Sequence, residues 1–376
     1  MKSKLLLTSL ILCLIFSFTA LCGCTPPITY TQLGIPTQTQ HFDNAYARCV
    51  WDVKVYDGKV YIGCGDYDKN SGPTTLWAYD LKTNSWEQQV TVDEEAIARF
   101  ITIDGTLYIT GIDTHPTPDE DHEHELGNFY RLENGVWKKY RNLPHSIHNF
   151  DMTLFNGKLF SSLGAENGFS PIVYSVDNGN TFSQVQLVKD GNEFITEHMN
   201  NVRAYEFITL NDRLYSIVKC YIDDKASYNL FEYNGECFEF VLDITNSLLF
   251  NSLTENLINN KVIFKDKLYF CTGALYCTTD ARTFDWINID NCHVQDIACK
   301  DGYMYVLCAK KISNMQYTTL IYKTADGEQF SQVYSLSYFV SPTCFDFDSN
   351  DWYVGYGDKT VNNVFNGMVL KINLDD

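Results

Sequence analysis

The sequence predicts an all-β chain whose strands arrive in a repeated four-stranded unit, and three observations carry that expectation. The first is a hairpin pattern that recurs seven times. It reads DVKVYDGKVYIG from Asp52, RFITIDGTLYIT from Arg99, DMTLFNGKLFSS from Asp151 and EFITLNDRLYSI from Glu206. It continues as NKVIFKDKLYFC from Asn260, DIACKDGYMYVL from Asp296 and a degenerate CFDFDSNDWYVG from Cys344. Each copy is an apolar strand, a two-residue turn rich in Asp, Asn and Gly, and a second strand that opens on an aliphatic residue and an aromatic one, which is a hairpin signal. The second observation is a further strand pair behind each hairpin, such as TTLWAYD (74–80) with SWEQQV (85–90) in the first unit. Copies begin between 36 and 55 residues apart, about the length of one four-stranded blade.

The third observation concerns closure. The seventh unit has GMVLKIN (367–373) and then ends, one outer strand short. Thr29-Tyr30-Thr31-Gln32-Leu33 matches the outer strands Thr181–Val185 and Gln329–Val333 in pattern. An N-terminal strand in the last blade would close the ring and remove the sheet edges that promote aggregation. The sequence therefore predicts a seven-bladed β-propeller over residues 29–376. An open β-array or a six-bladed ring competes with it, and the short fifth unit is where they differ.

Ahead of the strands stands MKSKLLLTSLILCLIFSFTALCGC. Lys2 and Lys4 precede an apolar run from Leu5 to Ala20, which is the pattern of an export signal. Leu21-Cys22-Gly23-Cys24 resembles the lipobox of bacterial lipoproteins. That resemblance implies a signal peptide over residues 1–23, lipid on Cys24, a short tether over 24–28, and a domain held to the outer side of a bacterial cell membrane. An ordinary secretory signal or a single membrane span is the competing reading.

Without residues 1–23 the chain has 26 Lys and Arg against 47 Asp and Glu, a net charge of −21. Such acidity disfavours nucleic acid and anionic lipid surfaces as partners. Ten cysteines remain besides Cys24, most of them inside predicted strands and none in a CxxC pair. They read as buried thiols, with Cys271–Cys277 and Cys220–Cys237 as the bridges that spacing allows.

The turns between third and fourth strands carry a family resemblance. Ser175-Val-Asp177-Asn-Gly179-Asn-Thr181-Phe182 resembles an Asp box, Thr278–Phe284 and Thr324–Phe330 resemble partial copies, and Asp80–Trp86 is similar to a kelch turn. Asp boxes occur in sialidase-like propellers, where they hold the fold. The sialidase resemblance implies an Arg triad, a Tyr–Glu nucleophile pair and an Asp acid. Arg48, Arg99, Arg203, Tyr205, Glu206 and Asp52 are the residues here that would imitate it. The expected Arg-Ile-Pro segment is missing, and Leu33-Gly34-Ile35-Pro36 stands there without its arginine.

In such a ring the tight turns share one face. The longer segments 64–73, 111–126, 163–170, 188–204, 218–227, 244–258, 308–318 and 356–366 share the other. Sites favour variable loops on a rigid scaffold, so the loop face is expected to carry function. Aligning the repeats puts Asp52, Arg99, Asp151, Glu206, Asn260, Asp296 and Cys344 at equivalent height around the axis. With Arg203 nearby, this set reads either as a ligand funnel or cation site, or as caps on neighbouring backbone. A second set, His122 and His124 in DTHPTPDEDHEHELGN with His145 and His148 in LPHSIHNF, has the donors of a zinc-type site, and equally the composition of a solvated loop. A divalent cation, calcium at the carboxylates or zinc at the imidazoles, is the one cofactor these residues allow. Tyr46, Trp51, Tyr67 and Tyr205 are the aromatics that would reach the loop face.

No G-x-S-x-G, H-E-x-x-H, P-loop or dinucleotide fingerprint is present. The expectation is a monomeric, membrane-anchored binding propeller that recognises a surface protein or a glycan through its loop face. The alternative is a glycan-processing, sialidase-like enzyme on the same face.

Overall fold

The computed structural model describes residues 30–39, 45–66, 72–114, 126–165, 168–195, 199–222, 225–245, 260–358 and 363–373. The segment expected to be a signal peptide, Cys24, Tyr67, His122 and His124 lie outside the described residues, as does much of the predicted loop face.

The hairpins form where the repeat places them. Asp52–Tyr56 pairs with Lys59–Gly63, and the intervening Asp57 and Gly58 both take positive φ, 47° and 72°. That is the mirror-image turn whose twist suits a tight hairpin, and Asp, Asn and Gly tolerate it best. The same pair of positive φ values recurs at Asp104-Gly105, Asn156-Gly157, Asn211-Asp212 and Asp301-Gly302.

Among the described residues five four-stranded sheets stand apart, and a twelve-stranded sheet takes up the remaining strands. Five separate blades thus replace the seven expected from the repeats. Within the large sheet lie the third unit, from Ser146–Phe155 onward, and the fourth, from Met199–Leu210 onward. Gly164 with Arg203 joins them, Leu187 and Val188 pair in parallel with Phe238 and Glu239, and His148 with Ile112 adds two short strands at the far side. Gly164 also faces His148 within its own hairpin, where a Cβ would lie 2.6 Å from the ring. The repeat pattern carries no sign of the pairings between units, because they depend on how far adjacent units lean together.

The N-terminal strand Tyr30–Gly34 runs antiparallel to Val369–Asn373 and completes the last four-stranded sheet. The Trp86 indole N–H donates to the Leu33 carbonyl at 2.7 Å, so the first sheet also holds this strand. Closure thus joins the two ends of the chain through main-chain hydrogen bonds and one side-chain bond.

The core is divided into clusters between neighbouring sheets. Phe160 from the third unit meets Phe207, Tyr233 and Phe238 from the fourth, with ring centroids 5.0–6.1 Å apart. Trp352 of the last sheet packs against Tyr305 of the sheet before it at 4.6 Å. The ten cysteines described are all free thiols, so neither Cys271–Cys277 nor Cys220–Cys237 is bridged. Seven of them are buried, where a thiol behaves as a small hydrophobe.

The four turns between outer strands share one device. Asp177 accepts the Thr181 N–H at 2.9 Å and the Thr181 hydroxyl at 2.7 Å. Asp280 accepts the N–H groups of Arg282 and Thr283, Asp326 those of Glu328 and Gln329, and Asp80 those of Lys82 and Thr83. The hydroxyls of Thr181 and Ser175 hold the Asp177 carboxyl down to about 2.

Candidate functional site

The first residues of the innermost strands converge on the axis, and each ties one unit to the next. Asp52 accepts the Phe100 N–H at 2.6 Å, Asp151 that of Phe207 at 2.9 Å and Asp296 that of Phe345 at 2.9 Å. Asn260, at the same position, donates instead to the Ile297 carbonyl at 3.0 Å. In each case the receiving residue follows the equivalent position of the next unit. The repeated carboxylate is therefore an inter-unit backbone cap, and this use recurs because the strand geometry recurs.

Charge pairing then divides the ring. Arg99 donates two hydrogen bonds to Glu206, at 3.1 and 2.7 Å, and lies 3.7 Å from Asp151. Lys261 reaches both acids, Glu206 at 2.8 Å and Asp151 in a shorter contact. Burial alone would raise the Asp151 carboxyl, but the Lys261 and Arg99 charges outweigh it and hold the group below its usual range. Burial likewise opposes charge on Lys261 and Arg99, and the two carboxylates more than compensate.

Across the axis the balance is different. Lys54 pairs with Asp346 at 3.0 Å, and Asp346 caps the Val55 N–H at 2.9 Å. Asp52 and Asp296 have no ion pair among the described residues. Burial pushes Asp52 up to about 7 and Asp296 up to about 8, with the Asp52 charge adding to the latter. The thiols of Cys344 and Cys271 share this half and are also raised by burial.

A cavity of about 580 Å³ runs along the innermost strands, with Arg99, Asp151, Glu206 and Lys261 at one end. Ile103, Asp104, Leu154 and Ile263 line its other end, next to the tight turns. Leu154 and Ile263 are 45% and 51% exposed there. The cavity thus opens on the tight-turn face, opposite to the face that sequence reasoning favoured. Its walls are Ile101, Met152 and Leu268 with the hydroxyls of Thr102, Thr153 and Thr209. Its charged floor pairs Arg99 and Lys261 with Asp151 and Glu206, while Lys54 and Asp104 add one charge of each sign elsewhere in the lining.

The other predicted residues do not join it. Arg203 turns to the Asn201 side chain at 2.6 Å, on the loop side of its strand. The Tyr46 and Trp51 rings meet edge-on, and Tyr205 packs on Phe150. The His145 ring stacks on Phe169 at 3.5 Å and that of His148 on Phe150 at 5.2 Å. Among the described residues no three His, Cys, Asp or Glu side chains gather as a metal site would require.

Sequence reasoning missed Lys54, Lys261 and Asp346, which lie one to two positions beyond the aligned column. The signal for the first two was visible as the lysines in DVKVY and NKVIF. It also missed Glu94, fully buried and raised to about 8 by that burial. One Glu94 oxygen accepts from Asn128 at 2.6 Å and Tyr130 at 3.3 Å, while the other faces Gly111 with no hydrogen-bond donor among the described residues.

No family model matches this chain, and no curated protein does. The fold has counterparts among solved structures. A structure of the polysaccharide lyase Uly1 aligns over 89% of this chain and 92% of its own, at 10% identity and a TM-score of 0.50. A chain from a structure of the mitotic checkpoint complex aligns over 94% of this chain and 96% of its own, at 11% identity and a TM-score of 0.53. At such identity the likeness is one of fold, and it places the chain among propeller-like all-β proteins.

Proposed function

We propose that this chain is an exported binding propeller, held to the outer side of the cell membrane by lipid on Cys24, that captures a glycan without turning it over. In this reading the twelve-stranded sheet counts as two blades joined by the pairings of Gly164 with Arg203 and of Leu187–Val188 with Phe238–Glu239, so the ring has seven. The observation that carries the proposal is the state of the axial acids. A general acid or base must be able to exchange its partner during a reaction. Here Glu206 and Asp151 are locked by Arg99 and Lys261, and Asp52 and Asp296 are spent on backbone caps. What remains toward the open end is an aliphatic wall with threonine hydroxyls. That surface suits a sugar, whose ring offers C–H faces and hydroxyls, and the volume is within the range of small-ligand sites.

The test is a thermal-shift panel of neutral and acidic oligosaccharides on the mature chain, run beside Leu154→Arg and Ile263→Arg. Both positions are half exposed, so these changes block the mouth without entering the core. A ligand that binds the native state must raise the melting temperature by mass action. The expected result is a shift with a glycan that both variants abolish, with no product released. A flat panel, together with pull-down of a surface protein that loop-side changes abolish, would replace the glycan with a protein ligand. The second reading is glycan processing, the activity in the name of one fold neighbour. It would be established by turnover that Glu206→Gln or Asp52→Asn removes while the melt is unchanged.

A further inference from the structure

Four segments of this acidic chain carry no acidic residue, and Asp358 beside them is 7% exposed and accepts the Tyr317 hydroxyl at 2.6 Å. Segments 30–39, 309–323, 331–345 and 363–373 have no Asp or Glu, against 47 in the whole chain. They meet at the outer edge between the sixth sheet, which ends at Ser331–Tyr338, and the last, which contains Tyr30–Gly34.

This sector is also where the hydrophobic surface breaks out. The hairpin Tyr303–Ser313 with Gln316–Thr324 is longer than its counterparts, such as Lys59–Gly63 or Lys267–Cys271. Its tip carries Ile312 and Met315, 55% and 64% exposed, beside the exposed Lys310 and Lys311. Tyr317 pairs with Tyr338, so the register brings Phe339 alongside the tip. Phe339 is 50% exposed and stacks on Phe365 at 4.5 Å, and the neighbouring Val364 is 70% exposed. A hydrogen bond from the Asn363 amide to the Phe339 carbonyl, 3.1 Å, fixes the two segments together. Four large apolar side chains thus stand in one patch, with two lysines at its rim.

The first described residue, Tyr30, is linked to this patch through Tyr338. The Tyr30 ring meets Tyr338 edge-on at 6.4 Å, and Tyr338 meets Phe339 at 5.7 Å. Between Cys24 and Tyr30 are six peptide steps. Fully extended they reach about 20 Å. A lipid on Cys24 therefore keeps this edge within about 20 Å of the bilayer surface, whatever path the tether takes. Apolar side chains ringed by lysine are the surface composition that a phospholipid interface accepts: the apolar groups enter the headgroup boundary and the ammonium groups meet phosphates. The four segments present no exposed carboxylate of their own, and Asp358 beside them is buried on Tyr317, so the repulsion that the rest of the chain would meet is reduced here.

We infer that the patch Ile312, Met315, Phe339 and Val364, with Lys310 and Lys311, lies on the membrane that holds the anchor. A bare lipid tether would let the domain tumble; this second contact sets its orientation. The axis of the ring is then held at a fixed angle to the bilayer, and the cavity mouth is turned to a constant side. The inference rests on the lipid-anchor reading of Cys24.

The experiment uses the full chain, expressed and processed in cells and transferred to nanodiscs of phosphatidylcholine with phosphatidylglycerol. Mass spectrometry of the N-terminal peptide reads the lipid on Cys24. Amide hydrogen exchange then compares the disc-bound protein with the same protein after enzymatic removal of its N-terminal tether. The expected result is a slowing of about tenfold or more at 309–317 and 336–340 on the disc. Met315→Asp with Ile312→Ser should abolish that slowing while the lipid still holds the protein to the disc. An unlipidated Cys24 overturns the anchor, and this inference with it. A lipidated chain whose patch exchanges equally in both states overturns the inference alone. So does slowing in the released protein that grows with its concentration, since a second copy would then be the occupant.

Discussion

Two halves of the axial ring start from the same place in the repeat and end with different chemistry. Asp151 and Glu206 are ion-paired with Arg99 and Lys261, and these cations hold the Asp151 carboxyl below its usual range. Asp52 and Asp296 occupy the equivalent position, make the same kind of backbone cap, and are pushed up to about 7 and about 8 by burial. The cap is a property of the repeat, because it depends only on where the strand starts relative to the next unit. The protonation state depends on whether a neighbouring unit supplies a cation. A column of like residues in an alignment of repeats therefore does not make a site with one function.

The largest expected effect breaks the paired half. Arg99→Met leaves Glu206, 1% exposed, without its bidentate partner, and should cost about 3–5 kcal/mol in a urea melt. Asp151→Asn should cost less, about 2 kcal/mol, because Lys261 keeps Glu206 and its side chain is 27% exposed. Asp296→Asn tests the other half. It keeps an acceptor for one of the two N–H groups that Asp296 holds, those of Ile297 and Phe345, and removes a carboxyl that resists ionisation. Near pH 8 its melting temperature should lie above that of Asp151→Asn. The smallest effect belongs to the periphery: Asp177→Ala removes a surface turn acceptor and should lower the melt by less than either axial change to Asp151 or Arg99.

The two halves also set opposite pH dependences. For Asp52, Asp296 and Glu94 the folded carboxyl titrates above its unfolded value, so the native state binds more protons between about pH 4 and pH 8. Their contribution is fully present below about pH 4 and is lost as pH rises through about 7 to 8. For Asp151 and Asp177 the folded value is depressed, so their contribution is present above about pH 4 and is lost as pH falls through the folded value. The melting temperature should therefore fall from mildly acidic to mildly alkaline pH, and fall again in strong acid.

Much of this architecture was legible in the sequence. Asp57-Gly58 and five of its counterparts fixed the hairpins because few residue pairs tolerate two positive φ values. The match of Thr29–Leu33 to outer strands foretold the pairing of Tyr30–Gly34 with Val369–Asn373. The merging of units three and four was not legible, since it rests on a few isolated pairings, Gly164 with Arg203 and Leu187–Val188 with Phe238–Glu239, that the repeat does not encode. Nor was the site's polarity. The aligned column found Asp52, Asp151, Glu206 and Asp296, but Lys54 and Lys261 lie outside it, and whether a buried acid is paired is a three-dimensional fact. The preference for the loop face came from loop length, whereas the cavity is made by the innermost strands and opens beside the short turns.

The central claim is that the axial acids hold the fold together and are not a vacant cation or catalytic site. It is tested most directly by the melting temperature of Asp52→Asn/Asp296→Asn against wild type from pH 5 to pH 8.5, with and without calcium. The account predicts a wild-type melt that falls across this range, a shallower fall in the double variant, and no calcium effect on either. Parallel slopes, or a wild-type melt that calcium raises and the double variant loses, would contradict it.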